Sequence, residues 1–364
     1  MNEPDLVIVG GGPVGLVAAL EARRAGLAVL VIEPRPAPID KPCGQGIMPA
    51  GVGHLRSLGV EPPGAPFTAI TYADAHHRAT AHLRSGPGLG VRRTDLHAAL
   101  SAAAAEAAVP VLQDAVTDVV PDDAGVAVRV RSGDEVRAAY VIGADGLHSR
   151  LRRVVGSRVV RPRRLRRFGF VTHASEALGV SEVRVHWTPL GEVYLTPLAG
   201  ECTGVAVLTR SGTDPGAVVA AVPEVREMLG GQEVTFRGSG AFFQVPVRHV
   251  RGRVLLVGDA AGYVDALTGE GLTIGFAQAR AAVEAVAGGD PARYERDWWR
   301  ISTVPLGLAA GLVGATAMVP VRERIVAAAE RLPGVFGSVV SVVGGRGLGD
   351  LNSVPIGRVS RGGG

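Results

Sequence analysis

The stretch Asp5-Leu6-Val7-Ile8-Val9-Gly10-Gly11-Gly12-Pro13-Val14-Gly15, answered by Glu33 at the end of a second apolar run, decides the fold. Leu6 to Val9 has no polar position, so it reads as a strand buried on both faces. Leu16 to Ala25 then reads as a helix closed by Gly26, and Ala28 to Ile32 as a second buried strand. Strand, glycine turn, helix, strand and acid is the order that cradles a dinucleotide. Gly10 permits the tight turn, Gly12 leaves backbone open to a pyrophosphate, and Gly15 lets helix and strand approach. The helix aims unpaired N–H groups at phosphate oxygens. Glu33, eighteen residues beyond Gly15, can accept hydrogen bonds from a ribose diol. The competing reading is a glycine-rich surface turn. No Gly-Lys-Ser/Thr follows, which argues against a nucleoside triphosphate site.

A chain of 364 residues with 47% hydrophobic content and few aromatics suits a two-lobed α/β protein. Lys41 is the single lysine, and the Ala, Gly, Val and Arg bias looks like genomic base composition. The net charge of +4 and pI of 9.5 are discounted accordingly. Cys43 and Cys202 make neither a disulfide framework nor a metal cluster, and the histidines show no ligand spacing, so no metal is expected. The start lacks a basic region, apolar core and cleavage site, which makes the cytoplasm the expected location.

Beyond Glu33 the prolines at 34, 36 and 38 force a loop leading to Lys41-Pro42-Cys43-Gly44. Helices are expected over Ala50–Leu58 and from a cap at Thr94 or Asp95 to about Ala108. Strand-like pieces fall at Phe67–Tyr72, Ala79–Leu83, Val109–Val120 and Gly125–Arg131. The section from about 161 to 250 alternates strand-like runs with turns, as antiparallel sheet does. Two more buried strands end in glycine turns that carry an acid: Tyr140–Gly143 before Asp145-Gly146, and Val254–Val257 before Gly258-Asp259-Ala260-Ala261. Thr268-Gly269-Glu270-Gly271 then opens a helix to about Ala287. Three acid-bearing turns imply one long ligand gripped along its length by Glu33, Asp145 and Asp259.

With these three turns in this order, the chain resembles the superfamily of FAD-dependent aromatic hydroxylases (class A flavin monooxygenases) and geranylgeranyl reductases, over about residues 5–300. The resemblance implies an α/β fold. A Rossmann-like FAD-binding domain of the GR2 type takes residues 1–70, 91–160 and 250–290. A mostly antiparallel β-sheet substrate domain is inserted at 71–90 and 161–249, followed by a C-terminal helical segment at 291–343 and a flexible tail at 344–364. It assigns Gly10 to Gly15 with Glu33 to the ADP half of FAD, and Pro13, Val14, Pro34, Arg35 and Val116 join these contacts. It assigns Asp145 and Gly146, with Ser149 and Arg150, to the motif linked to FAD and the nicotinamide donor. Asp259, after Gly258, would hold the ribityl chain, and Arg93 would reach the phosphates. Cys43 and Gly44 lie in a loop expected near the flavin, and Gly269, Glu270, Gly271 and Leu272 lie at its ring, where a helix terminus stabilises the reduced form.

Cys43 is the one catalytic candidate, weighed against a small packed side chain. Trp187, Tyr194, Phe242 and Phe243 are substrate-pocket candidates, with core packing as the competing role. Residues 150–167 hold nine arginines, read as a solvated face without a nucleic-acid partner. Residues 304–321 carry no charge, but Pro305 and Pro320 argue against a lipid-spanning helix. They read as a buried or cavity-lining segment, with membrane-surface contact as the lesser option. The reaction expected first is hydroxylation or epoxidation of an apolar or aromatic-like small molecule, using FAD, O2 and NAD(P)H docking transiently, or a flavin reductase in its place. Gly262 and Ala266 stand where many hydroxylases have His and Pro. That departure and the Cys43 loop support the alternative, a reductase of carbon–carbon double bonds resembling geranylgeranyl reductase. A non-catalytic carrier of a lipophilic ligand is the third reading.

Overall fold

Six short strands lie in the order Val250–Arg251, Val254–Leu256, Tyr140–Gly143, Leu6–Val9, Val29–Ile32, Val111–Leu112. All neighbours run parallel except the outermost pair at 250–256. Val9 lies opposite both Gly143 and Ile32, and Gly143 opposite Leu256, so the three acid-bearing turns emerge side by side at one end. Parallel strands in register put their carboxyl ends together, where such sheets bind ligands. The computed structural model describes residues 3–175, 177–230 and 234–342, and the tail expected at 344–364 lies outside them.

Helix Pro13–Arg24 packs under this sheet, with Pro13 supplying a preset φ at its first position. It crosses helix Gly271–Ala287 closely, since a Cβ on Gly275 would sit 2.6 Å from the Val14 side chain. Pro49 likewise starts helix Pro49–Ser57. The helix expected to be capped by Thr94 or Asp95 begins earlier, at Arg93, and runs to Glu106. Its cap position is Arg92, because the chain arrives extended from strand Gly88–Gly90 and turns there.

A seven-stranded sheet stands on this layer, in the order Arg237–Gly240, Arg167–Ala174, Cys202–Arg210, Gly191–Leu198, Glu182–Trp187, Ala69–Ala73, Arg78–His82. Only the pairing of 182–186 with 69–73 is parallel. Strands 65–67 and 88–90 instead join 46–47 in a small sheet of their own. Alternation divides the large sheet cleanly. Val193, Leu195, Val205 and Val207 face the short helices Pro215–Ala220 and Pro223–Met228. Glu192, Tyr194 and Thr196 point the other way, toward the nucleotide layer, where Thr196 Oγ1 donates to Gly44 O at 3.0 Å.

Helix Arg293–Ala315 and the shorter Ile325–Arg331 roof that second face, packing Leu308, Leu312, Val313 and Val326 against Val183, Val185 and Trp187. The uncharged stretch 304–321 is therefore two-sided. Val313 is 1% exposed, whereas Val304 and Met318 are 61% and 56% exposed. Pro305 sits inside its helix, and no helix among the described residues is long and apolar enough to cross a membrane.

Candidate active site

The first turn is held on all sides. Gly11 N–H donates to Glu33 Oε2 at 2.9 Å, and Arg35 Nε donates to Glu33 Oε1 at 2.7 Å. Burial pushes the Glu33 carboxyl up, but Arg35 and the Gly11 N–H outweigh it and hold it below the usual carboxylate range. His97, buried in the helix Arg93–Glu106, donates through Nε2 to Gly11 O at 2.8 Å. Sequence reasoning missed His97; its signal was a polar residue amid the apolar positions of that helix. A Cβ on Gly15 would meet Gly10 O at 1.9 Å, whereas one on Gly12 meets nothing within 4 Å. The two substitutions should therefore separate. Gly15→Ala should lower the free energy of unfolding by roughly 2 kcal/mol or more, through strain. Gly12→Val should keep the fold and lose bound flavin, which flavin absorbance after gel filtration checks. Equal stability loss in both would contradict the open cleft at Gly12.

Beside this turn lies a positive centre. Lys41 is half-buried near Arg35, Arg93, Glu33 and Asp259, and desolvation together with the two arginines lowers its pKa. Its Nζ would be 3.3 Å from a Cβ on Gly146, which brings the second turn to the same cleft. Burial raises the Asp259 carboxyl, against the pull of Arg93, Lys41 and Arg152. Glu33, Lys41, Arg93, Gly146 and Asp259 thus share one cleft. Pro34 and Arg35 form its exposed rim. Asp145 Oδ2 accepts from Arg150 N–H at 2.7 Å, just ahead of the short helix Leu151–Val154, while its Oδ1 is buried. Val116 sits in the strand Val116–Pro121, packed on the nucleotide core.

Two of the nine arginines at 150–167 depart from the solvated face expected of them. Arg152 and Arg167 are 3% and 5% exposed, while the other seven are exposed. Arg152 clamps the second turn to the third: Nε donates to Ala260 O at 2.9 Å, and Nη1 donates to Leu147 O at 2.9 Å and Gln244 Oε1 at 2.7 Å. The third turn is also tied to the roof. Gly258 N–H donates to Gln278 Oε1 at 2.7 Å, and Gln278 Nε2 donates to Ser302 Oγ at 2.9 Å.

The cleft continues toward the large sheet. Cys43 is half-buried, and its Sγ accepts from Gln45 N–H at 3.3 Å. Tyr263 lies within electrostatic reach of Cys43, Asp259 and Asp265, and burial raises its phenol well above the usual value. Next comes a buried acid pair on one guanidinium. Arg167 is in contact with Glu192 and lies 3.7 Å from Asp265 Oδ2. Burial raises both carboxyls, although Arg167 opposes it. Gly269, Glu270, Gly271 and Leu272 form the start of helix Gly271–Ala287, and burial pushes Glu270 up to about 8.

Of the aromatic candidates, Trp187 and Tyr194 pack under the roof, with Tyr194 Oη donating to Leu267 O at 3.2 Å. Phe242 is buried edge-on to Tyr263, with ring centroids 5.2 Å apart, and half-buried Phe243 takes φ +61°. Sequence reasoning missed Tyr263, Arg167, Glu192 and Asp265 as a group, because they come from separate strands and loops and share no local spacing.

Several buried polar atoms here have no hydrogen-bond partner: Arg93 Nε, Asp145 Oδ1, Ser149 Oγ, Asp265 Oδ2 and Glu270 Oε2. Buried polar groups are rarely left so, and a long polar cofactor along this cleft suits the first three. Gly12 and the helix behind it suit a pyrophosphate, Glu33 a ribose, and Asp259 a hydroxylated chain. A cleft of this order and chemistry defines an FAD-dependent oxidoreductase. The chain belongs to the FAD-binding domain family, whose model matches residues 3–227.

Among its relatives, menaquinone reductase of Mycolicibacterium smegmatis is 30% identical over 81% of this chain and 79% of its own length. Digeranylgeranylglycerophospholipid reductase 1 of Methanopyrus kandleri is 30% identical, over 81% of this chain and 86% of its own. Rifampicin monooxygenase of Streptomyces venezuelae is 28% identical over 42% of this chain and 34% of its own. A flavin-dependent brominase superposes with a TM-score of 0.81 over 94% of each chain; at 20% identity that likeness is one of fold.

Proposed function

We propose that this protein is a reductase that saturates a carbon–carbon double bond in a lipophilic molecule, of the class the reductase relatives are named for: quinones and geranylgeranyl lipids. One observation carries it. Glu192 and Asp265 share a single guanidinium, burial raises both carboxyls, and Asp265 Oδ2 has no hydrogen-bond partner. Burial favours the protonated form of these acids, against the pull of Arg167 on both and of Arg322 on Glu192. Glu33, Lys41, Arg93 and Asp259 would hold FAD, which when reduced would supply hydride chemistry toward one carbon of the double bond. Asp265 delivers the proton to the other carbon, and Arg167 holds the carboxylate that remains until solvent reprotonates it. Tyr194, Trp187 and the roof helices form the apolar wall that keeps water away. NAD(P)H, docking transiently, or a separate flavin reductase supplies the electrons.

The greater coverage of the two reductase relatives supports this order of readings. The monooxygenase reading, first on sequence, is favoured by the same dry roof, since water exclusion serves oxygen transfer equally. Turnover under anaerobic conditions separates them. The reductase yields product with two added hydrogens and no O2 uptake; product that gains oxygen and forms only in air overturns it. Asp265→Asn should slow the substrate-reducing step about 10²–10⁴-fold while leaving flavin reduction by the donor unchanged, as stopped-flow absorbance resolves.

A further inference from the structure

We propose that the arginine-rich face joining residues 153–160, 247–251 and the start of the roof helix, with Val160, Val247 and Trp299 exposed among its arginines, docks on an anionic phospholipid bilayer. The face is assembled by direct contacts. Val159 and Val160 pair with Pro246 and Val245. Val247 N–H donates to Arg158 O at 3.0 Å, and Arg248 N–H to Ser157 Oγ at 3.0 Å. His249, next in the chain, stacks on Trp298 at 3.4 Å and meets Trp299 edge-on at 5.8 Å. These bonds fix a β-ribbon, a loop and a helix against one another as one surface.

Its chemistry is that of a membrane-surface anchor. Val160, Val247 and Trp299 are 44%, 45% and 46% exposed. Arg153, Arg158, Arg248, Arg251 and Arg296 are exposed around them, and none forms an ion pair among the described residues. Soluble surfaces intersperse charges of both signs. Here Glu295 is spent on His249, its Oε1 2.8 Å from the ring Nδ1, and Asp297 on Arg293 and Arg300. A tryptophan among arginines matches the interfacial zone of a bilayer, apolar on one side and anionic on the other. Arg248 also lines a groove of about 650 Å³ in which Arg253 lies over the Tyr140 ring at 5.3 Å. Glu295 lines it too, with its oxygens engaged by the His249 ring and the His249 and Val250 N–H groups, which leaves Arg248 and Arg253 to face a phosphate headgroup. Nothing in this face belongs to the cofactor cleft, which opens at the opposite ends of the strands.

Co-sedimentation of the flavin-loaded protein with vesicles tests the proposal. Vesicles of phosphatidylcholine mixed with phosphatidylglycerol should bind it, phosphatidylcholine alone should not, and high salt should release it. Each arginine near the surface contributes about fivefold in partitioning. The double reversal Arg158→Glu with Arg248→Glu should therefore weaken binding by more than about tenfold, with flavin content unchanged. Trp299→Ala should weaken it further. Arg226→Glu, on the far side of the large sheet, should leave it unchanged. Absence of anionic-vesicle binding, or binding indifferent to the double reversal, overturns the proposal. So does binding to polyglutamate without vesicle partitioning, which assigns the face to an acidic protein. Failure here leaves anaerobic reduction of a detergent-dispersed substrate intact, so the two proposals fall separately.

Discussion

Replacing Arg152 with Met should destabilise the protein by about 3 kcal/mol or more and strip it of flavin. The side chain is of similar length and apolar, so packing is largely kept and the hydrogen bonds are lost. Removing the guanidinium leaves Leu147 O, Ala260 O and Gln244 Oε1 without this donor in a buried setting. Each such group costs about 1–3 kcal/mol. Some of that is returned, because burial of the charge is itself costly: desolvation pushes the Arg152 guanidinium down to about 10. Arg152→Lys should fare little better, since one ammonium cannot fork to several acceptors on two turns. Urea unfolding and flavin content are the two measurements. A variant within about 0.5 kcal/mol of the parent with full flavin would show that the turns hold without the clamp.

Glu270→Gln should remove a large part of the protein's pH dependence of stability. Burial pushes this carboxyl up to about 8, from 4.5 in the unfolded chain, and its Thr268 hydrogen bond offsets only part of the rise. Between those values the folded protein binds the extra proton, so stability is fullest below 4.5 and falls as pH rises through about 8. The slope is about 1.4 kcal/mol per pH unit, with a ceiling on the order of 4–5 kcal/mol. Glutamine cannot ionise, so the variant should match the parent near about pH 5 and be the more stable one above about pH 8. Urea midpoints of flavin-free protein across that range decide it. Parallel curves would mean that the carboxyl ionises without penalty.

What the sequence disclosed and what it withheld follow from distance along the chain. The three acid-bearing turns were legible because a buried strand entering a glycine turn is a local pattern, complete within about a dozen residues. Arg152 and Arg167 were not legible: among nine arginines nothing nearby marks the two whose side chains turn inward. What singles them out is Ala260, Gln244, Glu192 and Asp265, all supplied by remote segments. Pro305 and Pro320 argued against a lipid-spanning helix, and no described helix is long and apolar enough to span one, although packing against the sheet carries the roof helix through Pro305. The exposed Trp299 gave no sign of its surroundings, because the arginines around it come from three stretches of chain.

The strand order carries a consequence for biosynthesis. Leu6–Val9 sits in the middle of its sheet, yet its neighbours include residues 140–143, and beyond them residues 254–256. The Leu6–Val9 strand therefore waits for some 250 residues of chain before its layer closes. Contacts so distant are slow to form and leave apolar edges uncovered meanwhile. Until the Val254 strand joins, the third acid-bearing turn has no sheet to emerge from, so the cleft for a prosthetic group is complete only when that distant stretch has been made.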